Sequence, residues 1–195
     1  VFPYESLVSI PATLTNGAIL RVQDHSFPDL VYDETDVFKV IGQLTIHPVD
    51  NTPNANSNWE VGTSQNITWS HKGSLGQVNI RYKYDGGDYS APINAEPIAV
   101  GAHTYSWSIP LDVVSQQVKV KIEAVARDEF VESPAEFKIK GKFTLNEPGP
   151  LHAGDPYTII WTQPSGQESR IPDVVLELYN GSAWNYLIAD APNTV

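Results

Sequence analysis

The chain carries a partial copy of itself, and that repeat limits its fold more than any other feature. Asn58-Trp59-Glu60-Val61-Gly62-Thr63-Ser64-Gln65-Asn66-Ile67-Thr68-Trp69 returns in degraded form as Leu151-His152-Ala153-Gly154-Asp155-Pro156-Tyr157-Thr158-Ile159-Ile160-Trp161. In both copies a Gly stands seven residues before a Trp, and polar and apolar positions alternate between them. That is the period of a strand with one buried face, entered from a turn. Two more matches set the period. Ser9-Ile10-Pro11 returns as Ser108-Ile109-Pro110, and the stretch from Val37 to Ile46 returns from Glu136 to Leu145, each 99 positions on, while the Gly/Trp pair recurs at 92. A unit of roughly a hundred residues with small loop insertions has the size of one small β-sandwich.

The repeat divides the chain into residues 1–42, the C-terminal half of a unit; 43–141, a complete unit; and 142–195, the N-terminal half of the next. In the complete unit the pattern predicts strands at 43–47, 65–70, 78–84, 92–99, 104–109, 117–125 and 135–140. Val118-Lys119-Val120-Lys121-Ile122-Glu123-Ala124 is the clearest, apolar one way and charged the other. Asp85-Gly86-Gly87 and Asn16-Gly17 are tight-turn signals, and Gly is expected to take the positive dihedrals. In the last part Trp161 stands for Trp69, and Val174, Leu176 and Leu178 stand for Val78, Ile80 and Tyr82; the loop from Gln163 to Arg170 is longer than its counterpart. No stretch has a convincing helical period.

Composition narrows the class. The 195 residues include no Cys and no Met, which excludes disulfides, thiol chemistry and Cys-type zinc sites. A chain without an initiator Met is expected to be a processed product or a window of something longer. The formal charge of -11 argues against a nucleic-acid partner. No apolar run is long enough to span a membrane and no signal peptide opens the chain.

The set Trp59, Gly62, Ile67-Thr68-Trp69, Val78 to Tyr82, Asp85-Gly86-Gly87, Tyr105-Ser106-Trp107-Ser108-Ile109-Pro110 and Phe137-Lys138-Ile139 resembles the immunoglobulin-like repeats of very large microbial surface and secreted proteins. It is also similar to the related sandwich domain of fungal cell-wall proteins of the Kre/Knh type. The pattern departs from the complete unit where Val8 stands for Trp107 and where His152 is aligned with Trp59. The resemblance implies an all-β fold of tandem immunoglobulin-like sandwiches with antiparallel strands and no significant helix. It further implies structural or adhesive stalk modules without a catalytic set, at a cell surface or outside the cell.

A half-sandwich leaves about six core-facing side chains in water, each worth roughly 1.5–3 kcal/mol when buried. The sum, on the order of 10 kcal/mol, rivals the stability of a whole domain. The two halves are complementary in order, so the expected partners are copies of the chain or adjacent repeats, head to tail. A covalent tandem and a non-covalent polymer that exchanges strands both remain open. The expected function is a structural unit of an extracellular fibre, filament or stalk; the alternative is a carbohydrate- or surface-binding adhesin module.

Candidate residues follow from that reading. Gly42 and Gly141 interrupt runs that pass from the last strand of one unit into the first of the next, marking stiff junctions. Trp69, Trp107 and Trp161 are expected in cores, whereas Trp59 and Trp184, near turns, are the candidates for exposed glycan-stacking aromatics. Asn66 and Asn180 head glycosylation triplets. No cofactor is expected. The acidic groups Asp33, Glu34, Asp36 and Asp128, Glu129, Glu132 suggest at most calcium at a junction. His25, His47, His71, His103 and His152 are dispersed, without the spacing of any catalytic motif, so no enzyme activity is expected.

Overall fold

The computed structural model describes residues 4–47 and 58–193. Among these the fold is all-β, built almost wholly of antiparallel pairs, with one short 3-10 turn at Val100–Ala102. The first part holds β1 (Thr15–Ala18), β2 (Arg21–Gln23), β3 (Tyr32–Glu34) and β4 (Phe38–Val40). The middle holds β5 (Gln43–Ile46), β6 (Asn58–Glu60), β7 (Ser64–Lys72), β8 (Gln77–Tyr84), β9 (Ile98–Ala99), β10 (Thr104–Ser108), β11 (Ser115–Ala124), β12 (Phe130–Glu132) and β13 (Phe137–Lys140). The last part holds β14 (Thr144–Leu145), β15 (Trp161–Thr162), β16 (Asp173–Tyr179) and β17 (Trp184–Pro192).

The middle strands form two sheets, β10-β7-β5 and β6-β13-β11-β8-β9, with β12 paired to β11. Alternation dictates which side chains meet between them. Leu44, Ile46, Ile67, Trp69 and Trp107 of the first sheet and Val78, Ile80, Val118, Val120, Ile122, Phe137 and Ile139 of the second are buried in one core. Lys119, Lys121 and Glu123 alternate with the buried residues of β11, and Glu123 joins Lys121 at 2.6 Å and Arg81 at 2.5 Å. Burial alone would raise the Glu123 pKa, but these two cations outweigh it and hold the carboxyl low. The Trp69 indole donates to the Val100 carbonyl at 2.8 Å, so its polar edge is satisfied inside the core.

Four expectations need correction here. Asn16-Gly17 is not a tight turn: both residues lie within β1, at the bulge between Thr15↔Val40 and Ala18↔Phe38, and Gly17 has no positive φ. The segment 92–99 is a strand only at Ile98–Ala99. Pro92 and Pro97 have no N–H to give a ladder, and the buried Asn94 side chain accepts from Ile80 N at 2.8 Å where a strand carbonyl would. One pair is not antiparallel: β6 runs parallel to β13, with Ile139 beside Trp59. In the turn after β8 the positive φ values fall on Asp85 (50°) and Gly86 (73°), the pattern of a two-residue primed turn closed by Gly87 N to Tyr84 O at 2.9 Å.

Three pairings of the flanking parts reproduce those of the middle residue for residue, whereas β16–β17 is a longer ladder than β8–β9. β1–β4 pairs Thr15 with Val40 and Ala18 with Phe38 across a bulge, and β11–β13 pairs Ser115 with Ile139 and Val118 with Phe137 across a bulge. Arg21↔Glu34, Val22↔Asp33 and Gln23↔Tyr32 of β2–β3 correspond to Lys121↔Glu132, Ile122↔Val131 and Glu123↔Phe130 of β11–β12. At the other end Leu145↔Trp161 and Thr144↔Thr162 repeat Ile46↔Trp69 and Thr45↔Ser70. In these three pairings equivalent positions therefore meet equivalent partners. The same register aligns Gly154 (φ 91°) with Gly62 (φ 72°), so Leu151, not His152, occupies the place of Trp59.

Candidate functional site: the junctions and the uncovered faces

Two features stand apart from the packed middle: the contacts at Gly42 and Gly141, and the apolar faces of the flanking parts. Gly42 lies in a gap between leucines. A Cβ there would sit 2.4 Å from Leu75 Cδ2 and 3.2 Å from Leu14 Cδ1, so no side chain fits without moving them. Leu14 is buried with the middle core although it lies before Gly42 in the chain. Gly42 N donates to Glu129 Oε1 at 3.1 Å, and Ser74 N donates to Ala12 O at 2.9 Å. Backbone, side-chain and apolar contacts thus cross this junction together.

The second junction repeats the plan with polar chemistry. A Cβ on Gly141 would meet Gln167 Oε1 at 2.6 Å and Ile171 Cδ1 at 2.7 Å. Gln167 stands 92 positions after Leu75, the same offset as Trp161 from Trp69. Its side chain is 0% exposed. Its Oε1 accepts from Lys142 N at 2.8 Å, and its Nε2 donates to Lys142 O at 3.4 Å and Pro164 O at 3.5 Å. The amide so satisfies both backbone groups of Lys142, as a neighbouring strand would.

Arg170 completes the second junction. Its Nη2 donates to the Val114 carbonyl at 3.0 Å and to the Asp85 carboxylate, and its guanidinium lies 5.1 Å from the centre of the Tyr84 ring. The Ser115 hydroxyl donates to Asp85 Oδ1 at 2.6 Å. The hydrogen bonds from Ser115 and Arg170 hold the Asp85 carboxyl below its usual range. A depressed carboxylate pKa stabilises the docked junction above its unfolded value, about 3.9, and that contribution is lost as pH falls through the lower folded value. In a carboxyl NMR titration Asp85 is expected to titrate below the ordinary aspartate value. Arg170→Ala should return it toward the ordinary value; equal titration of Asp85 in both proteins would remove Arg170 from the account.

Sequence reasoning missed Gln167 and Arg170. The available signal was the longer loop from Gln163 to Arg170, which provides the docking surface, and the alignment of Gln167 with Leu75.

The other candidates are dispersed. Trp69 and Trp107 are buried, but Trp161 is only half-buried, with its Nε1 donating to Asn193 Oδ1 at 3.0 Å, because β16–β17 supplies only part of the second sheet that covers Trp69, with no counterpart of β11 and β13 beside it among the described residues. Trp59 is 4% exposed and packs edge-on against Phe137 at 5.0 Å and Trp107 at 5.9 Å. Its pairing with β13 buries it, which removes it from the exposed aromatics. Trp184 is 66% exposed, with Tyr179 5.3 Å away and Tyr186 71% exposed on the same strand. Asn66 is exposed on β7, and Asn180 lies at the exposed β16–β17 turn, where its Oδ1 accepts from Ser182 N and Ala183 N.

Several of the acidic residues have other partners. Glu34 pairs with Arg21, Glu129 binds the Gly42 amide, and Glu132 approaches Lys119 at 3.9 Å. Among the described residues no group of three or more His, Cys, Asp or Glu is gathered as a metal ion would require. The His71 and His103 rings lie 5.2 Å apart. No described helix is long and apolar enough to cross a membrane.

The apolar faces are the larger feature. Val8, Ile10, Leu20 and Val22 in the first part and Leu145, Leu178 and Ile188 in the last are exposed. No protein-family model and no curated protein matches the chain.

Proposed function

We propose that the chain is a structural unit of an extracellular or cell-surface fibre, built of serial immunoglobulin-like sandwiches joined head to tail. The observation that carries this reading is the recurrence of register. The first part has the pairings of β11, β12 and β13, and the last has those of β5 and β7, each with an apolar face uncovered. Glycines at both junctions, closed by direct contact, favour a stiff series over beads on a flexible string. The reading assigns the chain no catalysis and takes neighbouring repeats as its partners. Negative-stain electron microscopy of concentrated protein tests it. Particles of constant width whose length grows with concentration are expected; compact particles of fixed size at every concentration would refute it.

A second reading is an adhesin module that stacks glycans, favoured by the exposed Trp184 beside Tyr179 and Tyr186. On that reading Trp184→Ala abolishes retention on a glycan array while the circular dichroism spectrum is unchanged. Equal retention of both proteins would leave Trp184 without a binding role.

A further inference from the structure

We propose that the uncovered faces cover each other in trans: β2 of one copy adds to the free edge of β16 in a second copy, in the single register that sets Arg21 opposite Glu177. The proposal rests on the head-to-tail reading above and supplies its partner and its alignment.

The first support is the pair of free edges. Among the described residues β2 pairs only with β3 and β16 only with β17. Their equivalents in the middle, β11 and β8, pair with each other over seven positions from Val118↔Tyr84 to Ala124↔Val78. The ladder that the flanking parts lack is therefore one the middle already shows. Unpaired strand edges are templates for another chain.

The register transfers directly. β1 and β2 align with β11 at an offset of 100, taken from the matching bulges, and β16 aligns with β8 at 96, taken from the inward-facing Val174 and Leu176. Val120↔Tyr82 then becomes Leu20↔Leu178, Ile122↔Ile80 becomes Val22↔Leu176, and Lys121↔Arg81 becomes Arg21↔Glu177. The apolar pairs face inward and the charged pair outward, as in the middle. A slip by one residue would turn Leu20 and Val22 to solvent.

Charge supplies the second, independent support. In the middle, two cations stand opposite each other at Lys121 and Arg81, and Glu123 between them binds both. The equivalent of Glu123 is Gln23, which has no charge to offer. The missing acid reappears as Glu177, at the position of Arg81. Arg21, paired to Glu34 on its own copy, would meet Glu177 of the other, so a base–acid–base group becomes acid–base–acid with opposite charges still adjacent. Across β-strands such pairs are favourable and like charges are not.

Sedimentation equilibrium of charge-reversed chains tests the register. Arg21→Glu and Glu177→Arg are each expected to weaken association roughly 3–10-fold, and the double variant R21E/E177R to recover most of the loss, because the pair is restored between copies. A purely local effect of losing Arg21–Glu34 would not be recovered by the second change. Because the chain has no Cys, Leu20→Cys and Leu178→Cys variants can be mixed and oxidised; a disulfide-linked dimer is expected from this mixture and not from Leu20→Cys with Tyr179→Cys. A chain that stays monomeric overturns the proposal and the head-to-tail reading together. Association without recovery and without the cross-link overturns the register alone.

Discussion

Trp69→Ala should destabilise the middle of the chain by about 3–5 kcal/mol, whereas Trp161→Ala, the same change at the equivalent position, should cost dilute protein about 1 kcal/mol or less. Both Trp residues end the same motif and pair with equivalent partners, Ile46 and Leu145. They differ in cover. Trp69 is buried under a second sheet and hydrogen-bonded to Val100 O, so its removal leaves a cavity in a packed core. Trp161 is half-buried and loses mainly its bond to Asn193. Because a single transition does not separate the two sites, amide exchange read separately at β11 and at β16–β17 is the suitable measurement. If the last part is completed by a second copy, the cost of Trp161→Ala should rise toward that of Trp69→Ala at high protein concentration. Equal costs for the two changes in dilute protein would mean that the last part already has its cover.

The second large effect is expected at the glycines. Gly141→Val places a side chain where a Cβ alone would lie 2.6 Å from Gln167 Oε1 and 2.7 Å from Ile171 Cδ1. Overpacking of this kind costs about 1–3 kcal/mol. Here it also separates Gln167 from the backbone of Lys142, so a buried amide loses its partners. Amide exchange in residues 163–171 should accelerate roughly 5- to 100-fold, the rate equivalent of that cost, while β11 is unchanged. Gly42→Val should behave differently, because the side chain displaced is Leu75, a member of the middle core, and its effect should reach β7 and β8. Wild-type exchange in residues 163–171 of Gly141→Val would show that the close approach has no energetic role.

Much of the fold is legible because burial imposes a period. Val118, Val120, Ile122 and Ala124 alternate with charged residues, and the strand read at 117–125 is found at Ser115–Ala124. What failed was non-local. The three residues of β6 pair with β13, 80 positions away, and nothing in Asn58-Trp59-Glu60 alone reveals a parallel partner; Trp59 therefore read as exposed. The three residues of β12 sit inside an acidic stretch that reads as loop, although Lys121, Ile122 and Glu123 give them a ladder. At 92–97 apolar residues suggested a strand, but two prolines and the Asn94 amide replace the ladder. The junction glycines stand out in sequence as interruptions between strands. Their physical reason, close approach by Leu75 and by Gln167, depends on where a distant loop lands.

The most direct measurement is sedimentation equilibrium of the unmodified 195-residue chain over a wide concentration range. Serial units that complete one another should give an average mass that climbs from 21.5 kDa through its multiples without a preferred end point, since a head-to-tail contact leaves a free face at each terminus of the series. A mass fixed at 21.5 kDa at every concentration, with the flanking apolar faces still open to a hydrophobic dye, would contradict the account.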